Sequence, residues 1–241
     1  MSENYRDKTF VITGAVGGIG RETVDLLHRQ GARLHLIDVD RERLEPFAAI
    51  ERVSMAVSTL DGPKACEAAL AGLDRPIYGF IHLAGIFEPE DLDEAPRQVW
   101  DRVLSANLHN AFDLAVALHR RFDANEVGRI VMMSSLAFRR GAFDHVSYSA
   151  AKGGLVGLVR ALSRRFAPNI LVNGLAPGLI DTPMPQRMLD RRGRDTVLST
   201  IPLGRLGHPR ECASVIDFLC GPGATYITGQ IINVDGGVVN S

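Results

Sequence analysis

Residues 9 to 20 read TFVITGAVGGIG. An apolar, β-branched run leads straight into a glycine-rich turn, and beyond the turn the apolar residues change period. Ile19, Thr23, Val24 and Leu27 recur at helical spacing, Arg21, Glu22, Asp25 and His28 fall on the opposite face, and Gly31 stands where a left-handed stop belongs. The stretch therefore predicts a buried strand, a tight turn and an amphipathic helix. Glycines in such a turn bring backbone N–H groups and a helix N-terminus up to a pyrophosphate, whose negative charge the helix dipole favours. Gly14, Gly18 and Gly20 are spaced G-x-x-x-G-x-G rather than G-x-G-x-x-G. The strand before and the helix after thus carry more of the reading than the glycines themselves.

Outward from this unit, TFVIT, RLHLID, VSMAV, IYGFIHLAG, RIVMMSS, NILVNGLAPG and QIINVDGG read as strands separated by longer amphipathic stretches. Short apolar runs alternating with helices predict parallel strands with crossover helices. The fold expected is α/β, a Rossmann-type doubly wound, mostly parallel sheet with helices on both faces. At 241 residues, and with no internal repeat or linker, residues 1–241 are expected to form a single domain. The stretch 181–200, DTPMPQRMLDRRGRDTVLST, is more polar and irregular than its neighbours, and is expected to be a mobile flap. The second strand ends in Asp38, eighteen residues past Gly20. A carboxylate there accepts hydrogen bonds from adenosine ribose hydroxyls and repels a 2′-phosphate.

Composition narrows the function. Basic and acidic residues number 27 and 28, for a net charge of −1, and no basic stripe suggests a nucleic-acid partner. The start, MSENYRDKTFVITG, carries charges where a secretory signal needs an apolar run, and no stretch is apolar enough to span a membrane. A cytoplasmic protein with a small-molecule substrate is expected. Cys66, Cys212 and Cys220 are odd in number and lack CxxC spacing, so buried reduced thiols are expected, with no metal site.

In DHVSYSAAKGG, residues 144 to 154, Tyr148 and Lys152 are spaced i, i+4 and share one helix face. Such a pair alone is as consistent with packing as with catalysis. Its company decides. Taken together, TGAVGGIG, Asp38, Ala84-Gly85, Asn107 in SANLHNAF, Ser135 in IVMMSS, YSAAK and VNGLAPGLIDT resemble, in order and spacing, the short-chain dehydrogenase/reductase family along nearly the full chain.

The resemblance implies an oxidoreductase that interconverts secondary alcohols and ketones with NAD(H). It makes Tyr148 the general acid/base and has Lys152 hold the nicotinamide ribose. A free phenol titrates near pH ~10, and a cation ~4–5 Å away favours phenolate by roughly two pKa units, so Lys152 is expected to lower Tyr148. Ser135 would orient the substrate oxygen; its neighbour Ser134 is a rival by type, but only one of two successive strand residues faces the pocket. Asn107 would complete a proton relay through a water on its backbone carbonyl, or else serve as a kink or a polar contact. For the cofactor, the resemblance implies Gly14, Val16, Gly17, Gly18, Ile19 and Gly20 at the pyrophosphate, and Asp38 and Ser58 on the adenosine side. Ala84 and Gly85 would line the cleft, with Pro177, Gly178, Ile180 and Thr182 at the nicotinamide. Asp181-Thr182-Pro183 equally reads as a helix start.

The match is uneven. The family often has an asparagine pair before Ala-Gly where this chain has His82-Leu83, and Ser58 replaces an acidic residue common after the third strand. NADP is disfavoured because Gly17 and Val39 occupy positions expected to be basic in NADPH-dependent 3-oxoacyl-thioester reductases, which form one alternative reading. A non-catalytic dinucleotide sensor is another, and its hallmark would be loss of Tyr148 or Lys152. The helix YSAAKGGLVGLVRAL is apolar nearly all round and carries Gly153, Gly154 and Gly157, which predicts a homo-oligomer, dimer or tetramer. Phe138, Arg139, Arg140, Phe143 and His145, with Met184, Arg187 and Met188 in the flap, predict an apolar pocket with a basic mouth, the arginines alternatively being solvated surface groups.

Overall fold

A computed structural model of the chain describes residues 4–94 and 97–239. Seven strands form its sheet: β1 (Thr9–Thr13), β2 (Arg33–Asp38), β3 (Val53–Val57), β4 (Gly79–His82), β5 (Gly128–Met133), β6 (Ile170–Pro177) and β7 (Ile231–Val234). All pair in parallel, in the order β3-β2-β1-β4-β5-β6-β7. The order reverses between β1 and β4, whose ends meet with Thr13 opposite His82. A crevice at the carboxyl ends of the strands is the expected consequence of that reversal.

The helices are α1 (Gly18–Arg29), α2 (Arg41–Leu44), α3 (Pro63–Ala69), α4 (Arg97–Leu104), α5 (Asn110–Leu118), α6 (Ala137–Arg140), α7 (Val146–Phe166), α8 (Gln186–Arg192), α9 (Arg194–Leu198) and α10 (Pro209–Cys220). A π-helical turn, Ser105–His109, joins α4 to α5. Alternation along each strand feeds two cores. Phe10 and Ile12 of β1 pack with Val24 and Leu27 of α1 and Ile216 of α10, whereas Val11 packs with Leu114 of α5 and Leu155 of α7. Both sheet faces are covered, which is why β1 and β5 are buried at every position and mostly apolar.

α1 buries Thr23, Val24 and Leu27 and half-buries Ile19, and Gly31 closes it with φ +91°. Cys66, Cys212 and Cys220 are buried free thiols. The segment 181–200 differs from its irregular reading. It forms α8 and α9, tied together by a small cluster of Leu189, Val197, Ile201 and Leu206. No helix among the described residues is long and apolar enough to cross a membrane.

Candidate active site

The turn after β1 is shaped by close approaches. Gly14 has φ +65°, and a Cβ on it would lie 2.8 Å from Ala84 N; a Cβ on Gly20 would lie 2.1 Å from Gly14 O. Those two glycines let the turn fold against β4 and against α1. Gly17 is different, since a Cβ there would meet only Gly14 O, at 3.3 Å, and its outer side is open. It is also the N-cap of α1, with no side-chain cap bond, so the first N–H groups of the helix lack a side-chain acceptor. An open glycine turn at an uncapped, partly positive helix end fits a dinucleotide pyrophosphate.

Asp38 borders this turn from the end of β2. Its carboxylate accepts from Val16 N at 3.1 Å, Val39 N at 2.8 Å and Asp40 N at 3.2 Å, tying the end of β2 to the glycine turn. Ser58 lies at the end of β3, where its N–H donates to Asp38 O and its hydroxyl accepts from Leu60 N at 3.1 Å. That hydroxyl is engaged in its own turn.

Beneath the turn, Thr13 Oγ1 accepts from the N–H groups of Leu83 and Ala84, both at 3.2 Å, so its own proton goes to His82 Nδ1 at 2.9 Å. His82 is fully buried, and desolvation, then the charge of Lys152, pushes its pKa down to about 3. A neutral imidazole accepting at Nδ1 must carry its proton on Nε2. Nε2 and Asn110 Oδ1 are both buried without a hydrogen-bond partner, and Asn110 raises the imidazole pKa against the larger desolvation. His82 thus stands buried where an asparagine is expected, held by the Thr13 hydroxyl at Nδ1.

Ala84 and Gly85 carry the chain from β4 over the catalytic candidates. A Cβ on Gly85 would stand 2.4 Å from Asn107 Oδ1 and 3.4 Å from Lys152 Nζ, so only glycine passes there. Asn107 sits within the π-helical turn and is fully buried. Its Nδ2 donates to Ile86 O and Val103 O, both at 3.0 Å, while Oδ1 is buried and unpartnered. A π turn breaks the regular helical ladder at this position, and the Asn107 amide bonds the backbone on both sides of it.

From the end of β5, Ser134 and Ser135 point apart. Ser134 is buried and donates to Lys152 O at 2.8 Å, a packing role; Ser135 is half-buried and lies beside the Tyr148 phenol. Tyr148 and Lys152 share one face of α7, and both are buried. Lys152 Nζ donates to Met133 O at 2.9 Å. Its pKa is pushed down to about 7 by burial. Burial raises the Tyr148 pKa, with only Ser135 pulling it back. The expectation that Lys152 lowers the phenol is thus not met in this geometry, because the ammonium faces a carbonyl and both groups are desolvated.

Pro177 ends β6, and its carbonyl accepts from Leu136 N at 2.9 Å, locking it to the segment after Ser135. Gly178 bonds Val234 O and passes so near Asp235 that a Cβ would lie 2.9 Å from its Cα. Ile180 is buried and bridges to Gly207. Thr182 then reaches across the crevice, its Cγ2 only 2.5 Å from where a Cβ on Gly18 would be. The two ends of the cleft therefore meet.

On the side away from the glycine turn, Phe87 stacks on His145 with centroids 3.7 Å apart and meets the Tyr148 ring edge-on at 4.9 Å. Arg139 lies over the Phe138 ring, and Phe143 is 88% exposed. Met184 is exposed, while the side chains of Arg187 and Met188 lie outside the described residues. Phe87, Thr13 and Asn110 were not among the sequence candidates; Thr13, directly before Gly14, was the one with a local signal. No cluster of His, Cys, Asp or Glu among the described residues has a metal-binding arrangement.

A parallel sheet reversing at β1/β4, a glycine turn at its crevice, and a Ser-Tyr-Lys set beside that turn define a dinucleotide-dependent oxidoreductase. Comparison with known proteins agrees. A family profile described as Enoyl-(Acyl carrier protein) reductase matches residues 14–239. The 3-oxoacyl-[acyl-carrier-protein] reductase FabG of Thermotoga maritima is 33% identical over 96% of this chain and 98% of its own length. The NAD-dependent glycerol dehydrogenase of Listeria innocua is 31% identical over 97% and 94%. A crystal structure titled short-chain dehydrogenase/reductase SDR:glucose/ribitol dehydrogenase, from Brucella melitensis, superposes with a TM-score of 0.94 at 39% identity, covering 100% of both chains. The chain belongs to the short-chain dehydrogenase/reductase family.

Proposed function

We propose that the protein moves hydride between NAD(H) and a secondary alcohol or ketone, with Tyr148 as the general acid/base. The observation that carries this reading is the meeting of Ser135, Tyr148, Lys152 and Asn107 beside the open glycine turn. When bound, the dinucleotide supplies hydride in reduction and takes it up in oxidation. Tyr148 gives its phenolic proton to the carbonyl oxygen in reduction and takes it back from the hydroxyl in oxidation. Ser135 donates to that oxygen and aims it at the phenol. Lys152, with its pKa near 7, holds an exchangeable proton at neutral pH and is the ribose contact. The buried, unpartnered Asn107 Oδ1 and the backbone of its π turn offer acceptors to a relay behind Lys152.

Asp38 favours NAD, since a 2′-phosphate would meet its carboxylate. A screen of alcohols and ketones with NAD(H) and NADP(H) tests the reading, and dinucleotide binding with no turnover on any of them would overturn it. A second reading, 3-oxoacyl-thioester reduction, has support in the name of the Thermotoga relative. NADPH-dependent reduction of acetoacetyl-CoA, exceeding NADH-dependent reduction of simple ketones, would establish it instead.

The outer face of α5 and α7 supports a homo-oligomer. Phe112 and Val116 are exposed there, and Gly153 and Gly157 have open space where a side chain would stand. A second copy packing on this face removes that apolar surface from water.

A further inference from the structure

Glu90 lies in the loop between β4 and α4, and its side chain is buried, 9% exposed. Its Oε1 accepts from the backbone N–H of Ser147 at 2.6 Å, across 57 residues of chain. Its own N–H donates to Asp144 O at 3.0 Å. Oε2 is buried and without a partner, as is the hydroxyl of Ser147.

These contacts fall on the first turn of α7. The N-cap of that helix, His145, makes no side-chain cap bond, so the turn takes a long-range cap from Glu90 instead. Three residues before Glu90, Phe87 lies stacked on His145 and edge-on to Tyr148. The loop thus grips residues 144–148 by one backbone bond, one carboxyl cap and two ring contacts.

Tyr148 is the third residue of α7, inside the turn that the cap secures. Lys152 is one turn deeper and is fixed separately by Met133 O. Fraying of an uncapped first turn would therefore move the phenol while leaving the ammonium in place.

We propose that Glu90 is a positioning residue for Tyr148, setting through Ser147 N–H where the phenol stands relative to Ser135. The inference rests on the oxidoreductase reading above. It deepens that reading by assigning a role to a loop residue that never meets the reacting atoms. Misplacement of a proton donor by a fraction of an ångström is enough to slow transfer.

The test compares Glu90→Ala with Glu90→Gln, whose amide oxygen still accepts from Ser147 N–H. Three readouts are taken: backbone hydrogen exchange at 146–149, NADH affinity by fluorescence, and kcat on the ketone that wild type reduces fastest. Glu90→Ala should raise exchange and lower kcat, each about tenfold, with NADH affinity within about twofold of wild type. Glu90→Gln should keep kcat within about threefold. Unchanged exchange in Glu90→Ala overturns the cap. Raised exchange with undiminished kcat overturns the positioning role, as does a Glu90→Gln variant as slow as Glu90→Ala. A wild type inactive on every carbonyl would instead defeat the oxidoreductase reading, and the exchange comparison would then decide the cap alone.

Discussion

Lys152 Nζ stands 5.4 Å from the centre of the Tyr148 ring and gives its hydrogen bond to Met133 O. An ammonium so enclosed pays in desolvation, and its pKa falls to about 7 from 10.5. Between those values the unfolded chain binds more protons at this lysine than the folded one. Stability should therefore rise with pH through that window, by roughly 1.4 kcal/mol per pH unit from this group. Lys152→Met removes the titrating group and keeps its bulk. Urea unfolding of wild type and Lys152→Met at pH 7, 8 and 9 should show the wild type gaining about 2–3 kcal/mol relative to the variant. Parallel stability profiles would mean that Lys152 is not desolvated in the folded protein.

Tyr148→Phe keeps the ring against Phe87 and removes the hydroxyl beside Ser135. Turnover should fall by at least about a hundredfold with little change in NADH affinity if, as proposed, the phenol carries the proton and Lys152 holds the ribose. Steady-state kinetics with a fluorescence titration of NADH decide it. Near-normal turnover would remove Tyr148 from the chemistry.

The segment 181–200 is held to the body of the protein by an ion pair between Arg191 of α8 and Asp144, and by Thr182 against Gly18. Only Leu189 and Val197 of the segment are buried in the small cluster they form with Ile201 and Leu206 just beyond it, so it is the part expected to open without the rest unfolding. Hydrogen exchange at 186–198 should slow when NADH and a ketone bind. Asp144→Asn should weaken that protection. Equal exchange in apo and ternary forms would deny the flap a role in closure.

Much of this architecture was legible before any coordinates. TFVIT and VSMAV coincide with β1 and β3 residue for residue: β1 is an apolar run because it is buried within the parallel sheet, while β3, at the sheet edge and only partly buried, still stands out as a short run of mainly apolar residues. IYGFIHLAG overshot β4 at both ends: Ile77 makes only an isolated bridge to Phe122, and the Tyr78 hydroxyl is drawn to Cys220 O, 142 residues away. The flap hid its helices because its buried apolar residues, Leu189 and Val197, are too sparse to show a period. Tyr148 and Lys152 were marked by i, i+4 spacing only in the company of the glycine turn, Asp38, Asn107 and Ser135. The direction in which their proton affinities move was not marked, because it depends on burial by distant parts of the chain. Glu90 and Phe87 carried no local signal for the same reason.

For the oligomer, light scattering should give a mass of at least two chains. Phe112→Arg, placing a charge on the exposed face of α5, should shift the protein toward monomer while its far-ultraviolet circular dichroism is preserved. A monomeric wild type would leave that apolar face without its second copy.

The proposed preference for NAD rests on one carboxylate. Asp38 can accept from both ribose hydroxyls of NAD, whereas facing NADP it meets a phosphate of like sign and loses the 2′-hydroxyl donor. No basic residue stands next to it: Val39 follows and is 61% exposed, Gly17 lies in the glycine turn, and Arg41 is three residues on, where it would help NADP only if the loop turned back. NAD should be preferred by at least about tenfold in kcat/KM, which needs only ~1.4 kcal/mol of differential binding. Asp38→Ser with Val39→Arg should narrow or reverse the preference, because it removes the repulsion and places a guanidinium where Val39 already points to solvent. The same carboxylate accepts from Val16, Val39 and Asp40 N–H, so the double variant should also lose about 1–2 kcal/mol of stability as those bonds go. That loss is common to both cofactors and cancels in their ratio. The decisive quantity is therefore the NAD-to-NADP ratio of kcat/KM in wild type and double variant. A wild type that prefers NADP would mean that Asp38 serves the turn alone and faces no ribose.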